Sequence, residues 1–285
     1  MSRLVYLTLL VAIYSAASGL AFGDPPQEYR FTYRPLAVGD QVHETVRYTI
    51  DMKTIRSQAG EVIDVNDQMA VRDEQAVVVR LQAGPGETAR VRLTYEQSQQ
   101  TTQPRVGAVQ ASDRPVAGKT YIVARKGDEL AIADEQGQAP PDEEREIVSR
   151  TLDNLGKPHP LGVFFNGRTM TVGQRVELPA DYAAKLLSAW DPALASEPLE
   201  VILMGTERVD GQLCALLHTL PAAAGRRSPI DGKFLVELAT CRPAVVELRG
   251  PVNSTERRGA TGVEFDIRRK GKLQVAAHVV HTRAK

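Results

Sequence analysis

The chain has 285 residues, 35 Lys and Arg against 35 Asp and Glu, and two cysteines, so its formal net charge is zero. A balanced charge argues against a role driven by bulk attraction to nucleic acid or to an anionic membrane surface. The length admits one large or two small domains with ample apolar residues for a core.

Met1-Ser2-Arg3, the apolar run from Leu4 to about Tyr14 and the small residues after it have the layout of a signal peptide, and the run is shorter than the ~20 residues of a membrane span. Residues 1–23 are expected to be removed before Asp24, with Ala17-Ser18-Gly19 as the second choice and an uncleaved anchor as the alternative. No cysteine follows the apolar run, so a lipid anchor is not expected, and no membrane span remains after cleavage.

Residues 28–33 read as a first strand, and Ala37-Val38-Gly39-Asp40 turns into the cleanest pattern of the chain, residues 41–55. Val42, Val46, Tyr48, Ile50 and Met52 share one face there and His43, Thr45, Arg47, Thr49, Asp51 and Lys53 the other, the period of two of a half-wet strand. Residues 58–66 follow a turn at Ala59-Gly60. Residues 75–81 and 88–95 form a hairpin through Ala83-Gly84-Pro85-Gly86, with Ala89, Val91, Leu93 and Tyr95 inward. The Gln, Thr, Ser and Pro of 97–118 read as a mobile loop. A second hairpin pairs 119–124 with 129–133 around Lys126-Gly127-Asp128.

Residues 141–155 are the best helix: proline opens it, Asp142, Glu143, Glu144 and Glu146 suit its positive end, and Gly156 suits a left-handed stop. The acidic start could in principle bind a cation, but helix-start chemistry explains it. Pro158, Pro160, Gly162 and Gly167 mark an irregular crossing. Thr171-Val172-Gly173-Gln174 then echoes Ala37-Val38-Gly39-Asp40, either as a duplicated half or, the reading we favour, as the same turn into a strand. Residues 179–190 read as a short helix carrying Tyr182, Leu186, Leu187 and Trp190.

Residues 199–209 and 212–220 are strands joined by Asp210-Gly211, a two-residue hairpin signal. The second is expected to pair with 233–240 across the loop 221–232. With Ala222 opposite Lys233, that register sets Cys214 against Cys241 and His218 against Glu237. It also puts Leu213, Ala215, Leu217 and Thr219 on one face with Phe234, Val236, Leu238 and Thr240. Opposed strand positions are within disulfide reach, so Cys214 and Cys241 are either a disulfide of an exported chain or two buried thiols. Residues 244–248, a polar segment 252–256, and 262–267 turning at Lys270-Gly271 into 272–282 complete the set. Strands linked by short turns imply antiparallel pairing. The expected fold is mainly β (β-rich α+β), a long curved antiparallel sheet or half-barrel with two short helices. One β-rich domain covers 24–285, with an N-terminal half 24–137, a helical connection 138–156 and a C-terminal half 157–285.

Three motifs, Tyr33-Arg34-Pro35-Leu36-Ala37-Val38-Gly39-Asp40, Met170-Thr171-Val172-Gly173-Gln174-Arg175-Val176 and Val209-Asp210-Gly211-Gln212-Leu213-Cys214-Ala215, together resemble an uncharacterised exported bacterial domain in which a Val-Gly-Asp-type turn precedes strands. The architecture is loosely similar to the periplasmic lipoprotein-carrier family, whose half-open barrel holds acyl chains. Neither resemblance carries a catalytic residue across.

The chain has no Gly-x-Ser-x-Gly, His-Glu-x-x-His, phosphate-loop or dinucleotide signature. His278 and His281, three apart on a strand, point to opposite faces and cannot chelate one metal. His218 with Glu237 could orient a base, yet Cys214 is ~13 Å along the strand at ~3.3 Å per residue, too far for a thiolate couple. No catalytic residue, metal or cofactor is therefore expected. The chain reads as an exported, periplasmic or extracellular, non-enzymatic binding protein. Its ligand-binding residues would be Val46, Tyr48, Ile50, Met52, Val91, Leu93 and Tyr95, lining a sheet concavity. The partner would be an apolar or acyl ligand or another envelope protein; a structural or adhesive role comes next, and a hydrolase using His218 and Glu237 last.

Overall fold

The computed structural model describes residues 27–82, 90–157, 159–178, 199–220, 230–260 and 263–284. The expected signal peptide, the expected helix at 179–190 and the tight loop at 83–86 lie outside the described residues.

Fourteen strands are described: β1 (Glu28–Arg30), β2 (Gln41–Gln58), β3 (Glu61–Gln82), β4 (Arg90–Pro104), β5 (Gln110–Asp113), β6 (Thr120–Lys126), β7 (Glu129–Asp134), β8 (Thr169–Thr171), β9 (Arg175–Leu178), β10 (Leu199–Val209), β11 (Gln212–Thr219), β12 (Asp231–Glu237), β13 (Pro243–Ala260) and β14 (Val263–Thr282). The two described helices are α1 (Asp142–Thr151) and α2 (Pro160–Phe165). Twelve strands form one antiparallel sheet in the order β7-β6-β4-β3-β2-β14-β13-β12-β11-β10-β9, with β5 added on β4. β7 and β9 end the row without pairing to each other, so the sheet is open, a curved half-barrel rather than a closed one. β1 and β8 make a separate two-stranded ribbon.

Alternation decides which face is inner. On β2 the even positions point inward, and register carries the same face onto Val275 and Ala277 of β14 and Val246 and Leu248 of β13. Two plugs fill the concavity. In the N-terminal half α1 lays Val148, with Leu152 and Leu155 just beyond it, on Val91, Leu93, Tyr95, Tyr121 and Val123. In the C-terminal half α2 and the β1–β8 ribbon bring Phe31, Leu161, Phe164, Phe165 and Met170 onto β2 and β10–β14. Phe31 stacks on Phe165 with ring centroids 4.7 Å apart.

Several expectations need correction. Residues 61–66 and 75–81 are parts of one 22-residue strand, β3, while Gln58 ends β2. The polar residues between them pair on both sides, Gln68 with Met52 and with Pro104, so the backbone hydrogen bonds are satisfied without an apolar side chain. The expected mobile loop at 97–118 is largely strand: β4 runs to Pro104 and β5 pairs with it. Threonine-rich polar sequence suits a strand wet on both faces. The stretch after Gly250 is likewise continuous, and Lys270-Gly271 is strand interior rather than a turn. Gly271 is there because the neighbouring backbone comes close: a Cβ at that position would lie 2.1 Å from the Asp51 carbonyl oxygen. The irregular crossing contains a helical turn and a half, α2, opened by Pro160.

The cysteine register is shifted by four residues from the expected one. Cys214 stands opposite Glu237 and His218 opposite Lys233. An even shift preserves the face, so Ala215, Leu217, Phe234 and Val236 are buried together as expected. β12 ends at Glu237, and Cys241 sits beyond it in a turn with φ of +54°. Cys214 packs with Leu235 and Ala244, while Cys241 belongs to the main core, so both are buried free thiols and no disulfide joins Cys214 to Cys241. Burial pushes both thiols up to about 11.

The echoed turns are one motif used twice. Asp40 N–H donates to Ala37 O and Ala37 N–H to the Asp40 carboxylate; Gln174 N–H donates to Thr171 O and Thr171 N–H to the Gln174 side chain. Gly39 and Gly173 have φ of +87° and +85°. The strands that follow differ, β2 having 18 residues and β9 four.

Candidate binding pocket

Where the two plugs meet, the inner face is not covered. The seam is a pocket of about 620 Å³, floored by the open ends of β2, β3, β4 and β14. Val42, Val78, Val91 and Val279 give it an apolar floor, and Leu152 and Leu155 of the turn after α1 form one wall. The other wall is Tyr33, Pro35 and Leu36, with His159, Arg242 and Pro243. That volume lies within the ~300–1,000 Å³ of small-molecule sites, as does the mixture of apolar lining and few polar groups.

Each wall is fixed by identifiable bonds. Arg125, buried on β6, donates from Nε to Leu155 O and from Nη2 to Asp153 O (2.5 Å), pinning the turn that follows α1. Gly156 closes that turn with φ of +77°. Tyr95 and Thr151 share a hydroxyl hydrogen bond of 2.7 Å between sheet and helix. On the helix's first turn Glu144 faces inward and accepts from Lys119 (2.7 Å) and the Tyr121 hydroxyl (2.6 Å). Burial would raise its pKa, but these bonds outweigh that and hold it below the usual carboxylate range. Opposite, Tyr33 N–H donates to Asn166 Oδ1, and Gly162 leaves room for the Tyr33 ring, since a Cβ there would come within 2.3 Å of it.

The polar groups are arranged by register. His281, Val42 and Val78 form one row across the sheet; Val279, Glu44 and Ala76 form the next, ~6.6 Å inward at ~3.3 Å per residue. Arg80 lies one step outward, against Val91. Glu44 is surrounded by protein and retains some accessible surface, the condition of a group lining a cavity. Its pKa is raised to about 7, first by burial and then by the charge of Glu74. Glu74 is paired with Arg114 at 2.7 Å and lies beside Ser98, and Arg72 stacks on the Tyr48 ring at 3.9 Å. A polar band therefore separates the two apolar cores.

Five buried side-chain nitrogens have no hydrogen-bond partner among the described residues: Arg72 Nε, Arg80 Nε, His159 Nδ1, Arg242 Nε and His281 Nδ1. The last four all belong to residues lining this pocket. Burial, then the charges of Arg242 and His281, lowers His159 to about 4. His281 is also lowered, chiefly by burial; its Nε2 faces the Pro243 carbonyl at 3.5 Å, and with that nitrogen as donor Nδ1 is an acceptor.

Of the seven residues expected to line a concavity, Val91 lines this pocket. Val46 and Tyr48 are in the C-terminal core with Ile50 and Met52 packed against it, and Leu93 and Tyr95 are fully buried under α1. The site residues missed by sequence reasoning, Glu44, Arg80, His159, Arg242 and His281, come from five separate segments. One signal was available: Glu44 has the parity of Val42 and Val46 and so had to face inward.

The remaining histidines and acids lie elsewhere. His218 lines a depression on the opposite, outer face with Arg47, Lys233, Glu247 and Arg249. Glu237, expected to orient it, accepts from the Thr240 hydroxyl at 2.6 Å. His278 pairs with Asp210 at 2.9 Å on the outer face while His281 points into the pocket, so the two diverge as expected. Asp142 is bonded to Arg145. No cluster of three metal-ligating side chains occurs among the described residues, and no described helix is long and apolar enough to cross a membrane.

No protein-family model matches the chain, and comparison with curated proteins finds no match. Similar solved structures include lipovitellin, described for its lipid–protein interactions, at 7% identity and a TM-score of 0.38, covering 88% of this chain and 26% of that one. They also include a DUF1329 family protein from Desulfovibrio piger, at 10% identity and a TM-score of 0.18, covering 86% and 85% of the two chains. A LolA superfamily protein from Nitrosomonas europaea is 9% identical with a TM-score of 0.21, covering 89% of each. This chain thus spans about a quarter of lipovitellin. A DUF1329 family protein and a LolA superfamily protein thus stand among the structures it resembles.

Proposed function

We propose that this chain is an exported, non-enzymatic binding protein that holds one apolar ligand in the seam pocket between the sheet and its two plugs. The observation that carries the reading is the pocket itself: about 620 Å³, with apolar side chains contributed by β2, β3, β4, β14 and the turn after α1. A sheet with one apolar face buries it wherever it can; here the two helices cover it on either side and leave the join open. Export rests on the charged, apolar and small-residue layout of residues 1–23.

The reading is tested by extracting the purified full chain with organic solvent and identifying released compounds by mass spectrometry, in parallel with titration of N-phenyl-1-naphthylamine, whose fluorescence rises in apolar sites. We expect a recovered amphiphile or saturable probe binding, and loss of both in Val91→Trp, which fills the pocket. A clean extract together with no probe uptake by the wild-type chain would reject the reading.

A second reading, adhesion to another envelope protein, draws on the distal arm of β3. Val62, Ile63 and Val65 are exposed there, at 60%, 49% and 49%. Cross-linking in envelope extracts separates the two, since an adhesive module would capture a partner and carry no small-molecule load.

A further inference from the structure

The polar end of the seam pocket has more donors than the protein uses. The Arg80 side chain makes no hydrogen bond or ion pair among the described residues, although it lines the pocket within electrostatic reach of Tyr33. Arg242 is 8% exposed; its Nη2 reaches Arg34 O at 3.3 Å and its Nε reaches nothing. Asp40 and Glu237 lie within electrostatic reach of Arg242, but neither is an ion-pair partner: Asp40 accepts from the Ala37 and Ala284 amides and Glu237 from Thr240. His159 and His281 lie beside the two arginines, each with an unpartnered Nδ1, which in His281 is an acceptor when Nε2 donates to Pro243 O. The four act on one another as a cluster: Arg242 and His281 on His159, Arg242 on His281, and Arg80 on Arg242.

A buried donor left without a partner is destabilising, and a folded chain rarely gathers several in one place. Their concentration at one end of an apolar pocket is explained by an acceptor that comes from outside the chain. Two cations without assigned anions select negative charge, and guanidinium groups suit the paired oxygens of a carboxylate or phosphate. The two imidazoles, kept neutral by burial and the neighbouring arginines, neither repel the cations nor compete for the anion. Beyond them the floor is valine and the wall is leucine, a lining for an alkyl chain.

We propose that Arg80 and Arg242, flanked by the neutral imidazoles of His159 and His281, form an anion subsite that fixes the carboxylate or phosphate head of a single-chain amphiphile whose tail runs over Val42, Val78 and Val91 toward Leu152 and Leu155. The proposal rests on the binding function inferred above and adds to it a polarity and a head-group class. Arg80 is the informative residue, because removing a side chain without intramolecular partners leaves the fold intact, whereas Arg242 is tied to Arg34 O.

The test uses the full chain and three probes of equal chain length: palmitate, hexadecyl phosphate and hexadecanol, each displacing N-phenyl-1-naphthylamine. At least one anionic probe is expected to bind ten- to a hundred-fold more tightly than hexadecanol, the range of a charged hydrogen bond in a desolvated site. Arg80→Met is expected to erase most of that preference while leaving hexadecanol affinity within about twofold. Preference for palmitate over hexadecyl phosphate identifies a carboxylate head, and the reverse a phosphate. Equal binding of hexadecanol and both anions, or an equal loss for all three in Arg80→Met, overturns the anion subsite while leaving the pocket as an apolar site. Binding of none of the probes overturns both proposals.

Discussion

Replacing Glu44 by glutamine should stabilise the protein in alkaline solution and do little in acid. The carboxyl of Glu44 has no hydrogen-bond or ion-pair partner among the described residues. Burial and then Glu74 raise its pKa from 4.5 to about 7. Tyr48 on its own strand and Tyr95 on β4 also interact with it electrostatically; of the cations in the adjoining polar band, Arg114 is engaged by Glu74 and Arg72 by the Tyr48 ring. A folded-state pKa above the unfolded one means that the folded chain holds the proton more tightly. Stability from this group is therefore full below pH 4.5 and is lost as pH rises through about 7. Raising the carboxyl pKa from 4.5 to about 7 sets an upper bound of ~3.5 kcal/mol, and partial access of solvent to the pocket reduces this to ~2 kcal/mol. At about 2–4 °C per kcal/mol for a chain of this size, the Tm advantage of Glu44→Gln should be ~4–8 °C greater at pH 8.5 than at pH 4.5. The assay is differential scanning fluorimetry of both proteins across that range. Comparing the difference at two pH values cancels any constant effect of the amide. A Tm difference independent of pH would refute the account of Glu44 as an uncompensated buried acid.

Arg114→Met leaves Glu74 without its cation and next to Glu44; with side-chain exposures of 15% and 11% for the pair, the loss at pH 7 should be ~2–4 kcal/mol by chemical denaturation, and a loss under ~1 kcal/mol would contradict the pairing. His159, lowered to about 4, contributes stability that is present above its unfolded value of 6.5 and lost as pH falls from there toward 4; His159→Gln should flatten that acid limb in the same scan, and an unchanged limb would contradict its enclosure. The thiols of Cys214 and Cys241 should be silent to Ellman's reagent in the native protein and give two equivalents in guanidinium without reductant, whereas a disulfide would give none. Gly271→Ala should destabilise by more than ~2 kcal/mol, because its Cβ would meet the Asp51 carbonyl oxygen at 2.1 Å across the β14–β2 pair; a Tm within 1 °C of wild type would show that the strands separate without strain.

Alternation along 41–55 and the Asp210-Gly211 turn were legible from the sequence because both are local. Period two needs only the pleat, and the tight turn needs two residues that tolerate positive φ, here +47° and +79°. Strand ends were not legible where they depend on a neighbour. Gln68 looks like loop sequence until β2 and β4 supply its backbone partners. The cysteine register failed for a related reason. The pattern of Ala215, Leu217, Phe234 and Val236 determines which face is buried, and sliding the strand by four residues leaves that face unchanged. Only the length of the connection between the strands distinguishes such registers, and composition does not determine that length. The pocket was the least legible part, because Arg80, His159, Arg242 and His281 become neighbours only once the sheet has curved and both plugs are seated.

On the proposed binding function, the polar band would give an open sheet a site with a defined orientation. A continuous apolar concavity would accept an alkyl chain in either direction and at many depths. Here Glu74, Arg114 and Arg72 interrupt the inner face deeper in the concavity, while Arg80 and Arg242 mark the opposite end. The valine floor lies between them, and Glu44 stands at its inner limit, where a group near neutrality is easier to bury than a full charge. Above pH 7 the ionised Glu44 would repel an anionic head approaching the wrong way and raise the cost of burying an alkyl chain beside it. Below that pH the same carboxyl can donate a hydrogen bond. The two plugs thus determine where the sheet stays uncovered, and in the proposed binding function the charges buried beneath that opening would determine which end of a guest enters first.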